Sequence, residues 1–220
     1  IHFEFALGLD NYIESKDKES NTNVCKFKVL SGDVIEEREE VERGEKEKGI
    51  ISLHFNGKLL TIIVNKDDKE IERISFQAVS GSPQEKSNGK HYFTYEKERQ
   101  MLKNEGPIPE GEYYIDINKI SEVPTYRLDR QYSWGVKNVP IELNNQETYG
   151  RYGFYIHGSW SAGSAGCIDL WDKNEMFFDK LIKLSKKFNV NRIPLVVEYK
   201  DLIMECSKNL LGLIKRCESK

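Results

Sequence analysis

The chain has 220 residues, enough for one domain with a sizeable core and an appendage. Its formal net charge is −3, and the 31% of residues that are charged are mixed in sign, so there is no general electrostatic case for nucleic acid binding. No run approaches the roughly 20 apolar residues of a membrane span, and Cys25, Cys167, Cys206 and Cys217 form no C-x-x-C or His-flanked metal pattern.

Residues 1–34 read as two short strands, FEFALGL and VCKFKVL, joined by a polar stretch. The run IEEREEVERGEKEK at 35–48 has no apolar face and reads as an exposed turn or linker. Residues 1–48 are therefore expected to form a β appendage and charged linker ahead of a catalytic part at 49–200. No basic segment followed by an apolar run opens the sequence, so no secretory signal is read at Ile1, and the lack of an initiator methionine suggests trimming upstream.

From Gly49 the pattern changes to three strands, punctuated by Asn56-Gly57 and by 65–69. Asn-Gly between apolar runs is a strong hairpin signal. Residues 82–104 read as a long polar loop. Gly106-Pro107-Ile108-Pro109-Glu110-Gly111 is a rigid turn feeding the strand EYYIDINKI. Between 126 and 144, Tyr132 and Trp134 accompany Arg127 and Arg130. Aromatics beside arginines can grip a sugar face or a carboxylate, or serve ordinary packing.

Near-helical spacing of Met176, Phe177, Leu181, Leu184 and Phe188 predicts an amphipathic helix over 173–188. PLVVEY at 194–199 predicts a final strand, and 201–215 a second helix with Asp201 as N-cap. On that helix Cys206 and Cys217 would stand ~16 Å apart, too far to bridge.

The stretch YGRYGFYIHGSWSAGSAGCIDLWD, 149–172, carries the chemistry. The aromatic and β-branched run before His157 reads as a strand delivering that histidine to its end. Residues 158–166, rich in glycine and serine, read as a loop that doubles back to bring Cys167 beside His157. A free thiol titrates near pH 8.5 and needs an adjacent imidazole to be a nucleophile at neutrality. Gly166 permits close backbone approach, and the Gly166 and Cys167 amides are candidates for an oxyanion hole. The residue types alone are equally compatible with a buried structural cysteine and a satisfied histidine.

His157-Gly158 followed by Ser164-Ala165-Gly166-Cys167-Ile168 resembles the signature of YkuD-type L,D-transpeptidases. Members carry a base histidine in H-G and a nucleophile in S-H-G-C-[IV]-R. ISFQAVSGS (74–82) and GPIPEGEYY (106–114) are similar to two further family stretches, in family order. The combination most closely resembles the branch found among type VI secretion effectors that attack peptidoglycan. Ala165 stands where members have a second histidine, and Asp169 where they have an arginine associated with substrate binding.

The resemblance implies a mostly-β (α+β) domain, a mixed β-sandwich with a few peripheral helices. It implies acyl transfer through a Cys167 thioester on peptidoglycan stem peptides, with His157 as base and a carbonyl near Gly158 orienting the imidazole. Arg151, at the mouth of the histidine strand, is the candidate to hold a substrate carboxylate in place of the missing arginine. Ser164, Asp169, Tyr155 and Trp160 are further candidates for substrate contact. No metal or organic cofactor is implied. The expected setting is the periplasm, by delivery into a target cell, with an immunity protein or secretion machinery as possible partners. A housekeeping wall-remodelling enzyme, a cysteine peptidase of unrelated fold and a non-catalytic wall-binding module stay open as alternatives.

Overall fold

A computed structural model describes the backbone of residues 12–16, 23–31, 34–41, 48–85, 90–200, 203–208 and 214–219, and the side chains of 48–85, 90–200, 203, 205 and 206. The chain divides into two compact units, 1–46 and 47–220. In the first, Tyr12–Lys16, Asn23–Ser31 and Val34–Val41 form a three-stranded antiparallel sheet in that order. The expected FEFALGL strand lies outside the described residues. The charged run read as a linker begins instead as the strand Val34–Val41, in register with residues 24–31. A neighbouring ladder supplies the backbone bonds, and dense charge is tolerated on an edge strand.

The second unit is mostly β. A six-stranded sheet runs Glu142–Leu143, Gly111–Asp116, Arg192–Val197, Ile50–Phe55, Leu59–Lys66, Lys69–Gln77. It is mixed, because Arg192–Val197 pairs parallel to Ile50–Phe55 while its other ladders are antiparallel. The Asn56-Gly57 hairpin forms as expected, with Asn56 Oδ1 accepting from the amides of Lys58 and Leu59 at 3.0 and 2.8 Å. A five-stranded sheet runs Ser121–Glu122, Lys137–Pro140, Tyr155–His157, Ile168–Asp169, Val79–Ser80. Ile62 and Ile115 of the larger sheet and Ile156 and Ile168 of the smaller belong to one buried cluster, so the two sheets share a core.

The helix Asn174–Phe188 adds Phe177, Phe178, Leu181, Leu184 and Phe188 to that core. Met176, expected on the apolar face, is 63% exposed, and Phe178 takes the inward place. Among the described residues no helix is long and apolar enough to cross a membrane.

Two further expectations are corrected. Residues 82–104 are not a plain loop: Gln84–Glu85 and His91–Thr94 pair as strands, and Lys97–Gln100 is one helical turn. The second helix over 201–215 does not form. Ile203–Lys208 and Ile214–Ser219 are antiparallel strands, and the first also pairs with His91–Thr94. That ladder is a non-local pairing, which local helical spacing does not reveal. Cys206 is disulfide-bonded, and the residue opposite it in the ladder is Cys217. The distance argument against a bridge assumed the helix and falls with it.

Candidate active site

Ile156 is fully buried in the core, so its neighbours Tyr155 and His157 point to the opposite face of the sheet. The strand Ile168–Asp169 runs parallel to them, Ile156 beside Ile168 and His157 beside Asp169. Cys167 therefore emerges one step before that ladder, on the histidine's face. The connecting loop 158–166 is folded over Asp169. That carboxylate is fully buried; Oδ2 accepts from Ser159 Oγ at 2.7 Å and from the Gly163 amide at 2.9 Å, and Oδ1 from the Trp171 amide at 2.8 Å.

The loop brings Cys167 beside His157, near enough for the two side chains to interact. His157 Nδ1–H donates to the Gly158 carbonyl at 2.7 Å, which leaves Nε2 for the thiol. Burial opposes the charged imidazole. The hydrogen bond with Cys167, the charges of Asp169 and Cys167 and the Gly158 carbonyl outweigh it and push the His157 pKa up to about 9. Burial pushes the Asp169 carboxyl upward, against the opposing pull of His157 and its hydrogen-bond donors. His157 is held protonated at neutral pH, the form that stabilises a thiolate beside it. Cys167 is a free cysteine and only half-buried.

The three stretches of the sequence signature meet at the turn before Cys167. Ser80 Oγ donates to the Gly166 carbonyl at 3.2 Å and accepts from the Ile108 amide at 2.8 Å. Ser82 Oγ donates to the Ser164 carbonyl at 3.1 Å, and the Ser164 amide to the Gly81 carbonyl at 2.9 Å. Gly166 has φ +125°, and a Cβ there would collide with Arg151 Nη2.

Three candidates for substrate contact are placed differently from expectation. Arg151 is buried, and its guanidinium donates to backbone carbonyls: Gln100 and Pro107 at 2.6 Å, Gly106 at 2.7 Å, Ala165 at 3.5 Å. It ties the turn at 100–107 to the turn before Cys167, and burial lowers its pKa. Ser164 Oγ donates to the Cys167 carbonyl at 2.6 Å and accepts from the Gly166 amide at 3.3 Å, closing its own turn. That bond also engages one of the two amides proposed for an oxyanion hole. Asp169 is sealed beneath the site and cannot reach a substrate. A buried arginine or aspartate looks the same in sequence as an exposed one; only the tertiary contacts separate them.

Tyr155 shares the histidine's face of the sheet, and Trp160 lies on the loop between His157 and Cys167. Tyr155 is half-buried and meets Trp134 edge-on at 5.2 Å, and Trp134 lies 5.4 Å from the His157 ring. Trp160 is 46% exposed and packs on Tyr132 at 5.6 Å. The Gly158 amide donates to the Trp134 carbonyl, and the Trp160 amide to that of Tyr132, so the helix Leu128–Trp134 is stitched to the loop 158–166. Ser80 was missing from the sequence-derived site, and Trp134 was read only as an aromatic beside arginines, for gripping a ligand or for ordinary packing. Among the described residues no group of three or more His, Cys, Asp or Glu could hold a metal ion.

A comparison with curated protein sequences finds no match. Solved structures with similar coordinates include the helical cell shape determining protein Pgp2 of Campylobacter jejuni, at 14% identity and TM-score 0.43 over 73% of this chain and 54% of that one. Its K307A mutant aligns at 16% identity and TM-score 0.42, over 73% and 51%. Bd1075 of Bdellovibrio bacteriovorus aligns at 13% identity and TM-score 0.42, over 76% and 52%. The chain spans about half the length of each. Residues 74–193, which hold His157, Cys167 and every contact around them, match the family model of the Tlde1 domain. That match covers more than half of the sequence: the chain belongs to the Tlde1 domain family, an L,D-transpeptidase-like family of type VI effectors.

Proposed function

We propose that the protein acts on peptidoglycan stem peptides as a cysteine-dependent acyl-transfer enzyme. The single observation that carries this reading is the free, half-buried Cys167 beside a buried, oriented imidazole. Cys167 attacks the carbonyl of an L-centre to D-centre peptide bond. His157, fixed through Nδ1 by the Gly158 carbonyl, manages the thiol proton and returns it to the departing amine. The thioester is then released to water, giving L,D-carboxypeptidase activity, or to an incoming amine, giving transpeptidation or D-amino-acid exchange. The Cys167 amide, with Gly166 if its bond to Ser164 yields, faces the developing oxyanion. Tyr155 and Trp160 line the substrate path.

Membership of a type VI effector family supports the same reading: action on a cell wall in the periplasm of a target cell, with an immunity protein as the natural counterpart. Cys167 sits between a turn and a strand, which weighs against a helix-borne cysteine peptidase. Its contact with His157 weighs against a non-catalytic wall-binding module.

The test is incubation of purified muropeptides with wild type and Cys167→Ala, read by mass spectrometry. Loss of a terminal D-residue, or its exchange, with wild type alone supports the proposal. No change with either protein sinks it.

A further inference from the structure

One face of the five-stranded sheet holds more than the dyad. Val139 and Ile156 are paired and fully buried, so the residues flanking them point away from the core. Asn138, one step along the ladder, is therefore beside His157 on the same face. Ser121, paired with Asn138, continues the row outward.

A cleft of about 300 Å³ opens over that row, bordered by Ser121, Asn138, Arg130, Trp134 and Tyr155. Trp134 links cleft and dyad, its ring packing 5.2 Å from Tyr155 and 5.4 Å from His157. Arg130 lies one helical turn before Trp134, so both side chains leave the same helix face. Glu122 also borders the cleft, but it pairs in register with Lys137, on the alternate side of the ladder. Arg130 is exposed, and among the described residues its guanidinium has no ion pair or side-chain hydrogen bond. Its neighbour Arg127 is instead held by Asp129 at 2.9 Å.

A guanidinium without an ion pair, bordering the same cleft as two aromatic rings, a hydroxyl and an amide, suits a planar anion that accepts a forked pair of hydrogen bonds. Arg151, the arginine that the sequence offers for this task, is consumed by backbone carbonyls.

We infer that the cleft lined by Arg130, Trp134, Tyr155, Asn138 and Ser121 is a carboxylate-binding subsite, and that Arg130 sets the preference for substrates bearing a carboxylate near the scissile bond. The inference rests on the stem-peptide reading above. A stem peptide offers several carboxylates, the terminal one and those of its side branches, and the same chemistry would recognise any of them.

The experiment separates the sources and does not depend on turnover. The full chain carrying Cys167→Ala is titrated calorimetrically with a stem tetrapeptide, then with analogues in which each carboxylate in turn is a carboxamide. The series is repeated with Arg130→Gln added. Arg130→Gln is expected to weaken binding about 10- to 100-fold, the size of a charge-assisted pair. One carboxamide is expected to cost the same and to lose nothing further on Arg130→Gln, which identifies the carboxylate bound. Absent binding, binding indifferent to Arg130, or losses that simply add for every carboxamide overturn the subsite. Arg130-dependent binding with no Cys167-dependent product in the muropeptide assay would sink the catalytic reading alone.

Discussion

His157 Nδ1 lies 4.0 Å from Asp169 Oδ1, and the two residues are side by side in a parallel ladder. The aspartate does not bond the imidazole directly; the Gly158 carbonyl does that at 2.7 Å. Asp169 instead sets the charge beneath the ring while its oxygens fold the loop from His157 to Cys167. One buried carboxylate thus links the geometry of the dyad to its electrostatics.

Asp169→Asn should act on both. Without its charge the His157 pKa falls, and the alkaline limb of the rate profile, expected near pH 9 in the wild type, moves to lower pH. Wrongly paired amide hydrogens in a buried site should also cost about 1–3 kcal/mol of stability. A pH–rate profile and a denaturant melt measure the two effects separately. An unmoved alkaline limb would argue that Asp169 only folds the loop.

The raised His157 pKa also predicts how stability follows pH. The folded protein holds this proton more tightly than the unfolded chain, whose histidine titrates near 6.5. The stabilisation is fully present below pH 6.5 and is lost as pH rises through about 9. Melting wild type and His157→Gln across that range should show the difference between them shrinking at alkaline pH.

Arg151→Met removes the donor set that joins three carbonyls of the 100–107 turn to the turn before Cys167. Buried carbonyls left without partners should cost at least about 3 kcal/mol. Activity and stability should fall together, unlike the selective loss of turnover expected of a substrate-binding arginine. Kinetics alongside a melt decide between them.

Gly166→Ala places a methyl group against Arg151 Nη2 at φ +125°. Turnover should drop by at least about 100-fold, because a displacement near 1 Å misaligns the nucleophile. The core far from the turn should persist, visible as near-wild-type far-ultraviolet circular dichroism.

Within the helix Asn174–Phe188, Phe177→Ala should cost about 3–5 kcal/mol, since its ring is fully buried against Phe76 and Phe178. Met176→Ala, on the exposed side, should stay within about 0.5 kcal/mol. Chemical denaturation of both variants checks the helix's orientation.

Much of the local structure was legible in sequence, because local rules set it. The Asn56-Gly57 hairpin, the helix ending at Phe188 and the strand delivering His157 each follow from period, turn chemistry or β-propensity. The spacing of His157 and Cys167 around a flexible loop pointed to the dyad for the same reason. The sequence by itself thus determined the types of those three elements and singled out the candidate pair for the chemistry. Tertiary structure alone decided which charges serve that pair. Arg151 and Asp169 read as surface groups, yet non-local packing buried both, and burial turned them from binding candidates into supports for the turn and the loop. The strands at 203–208 and 214–219 escaped notice because a ladder needs a partner distant in sequence, and periodicity within a segment carries no record of that partner.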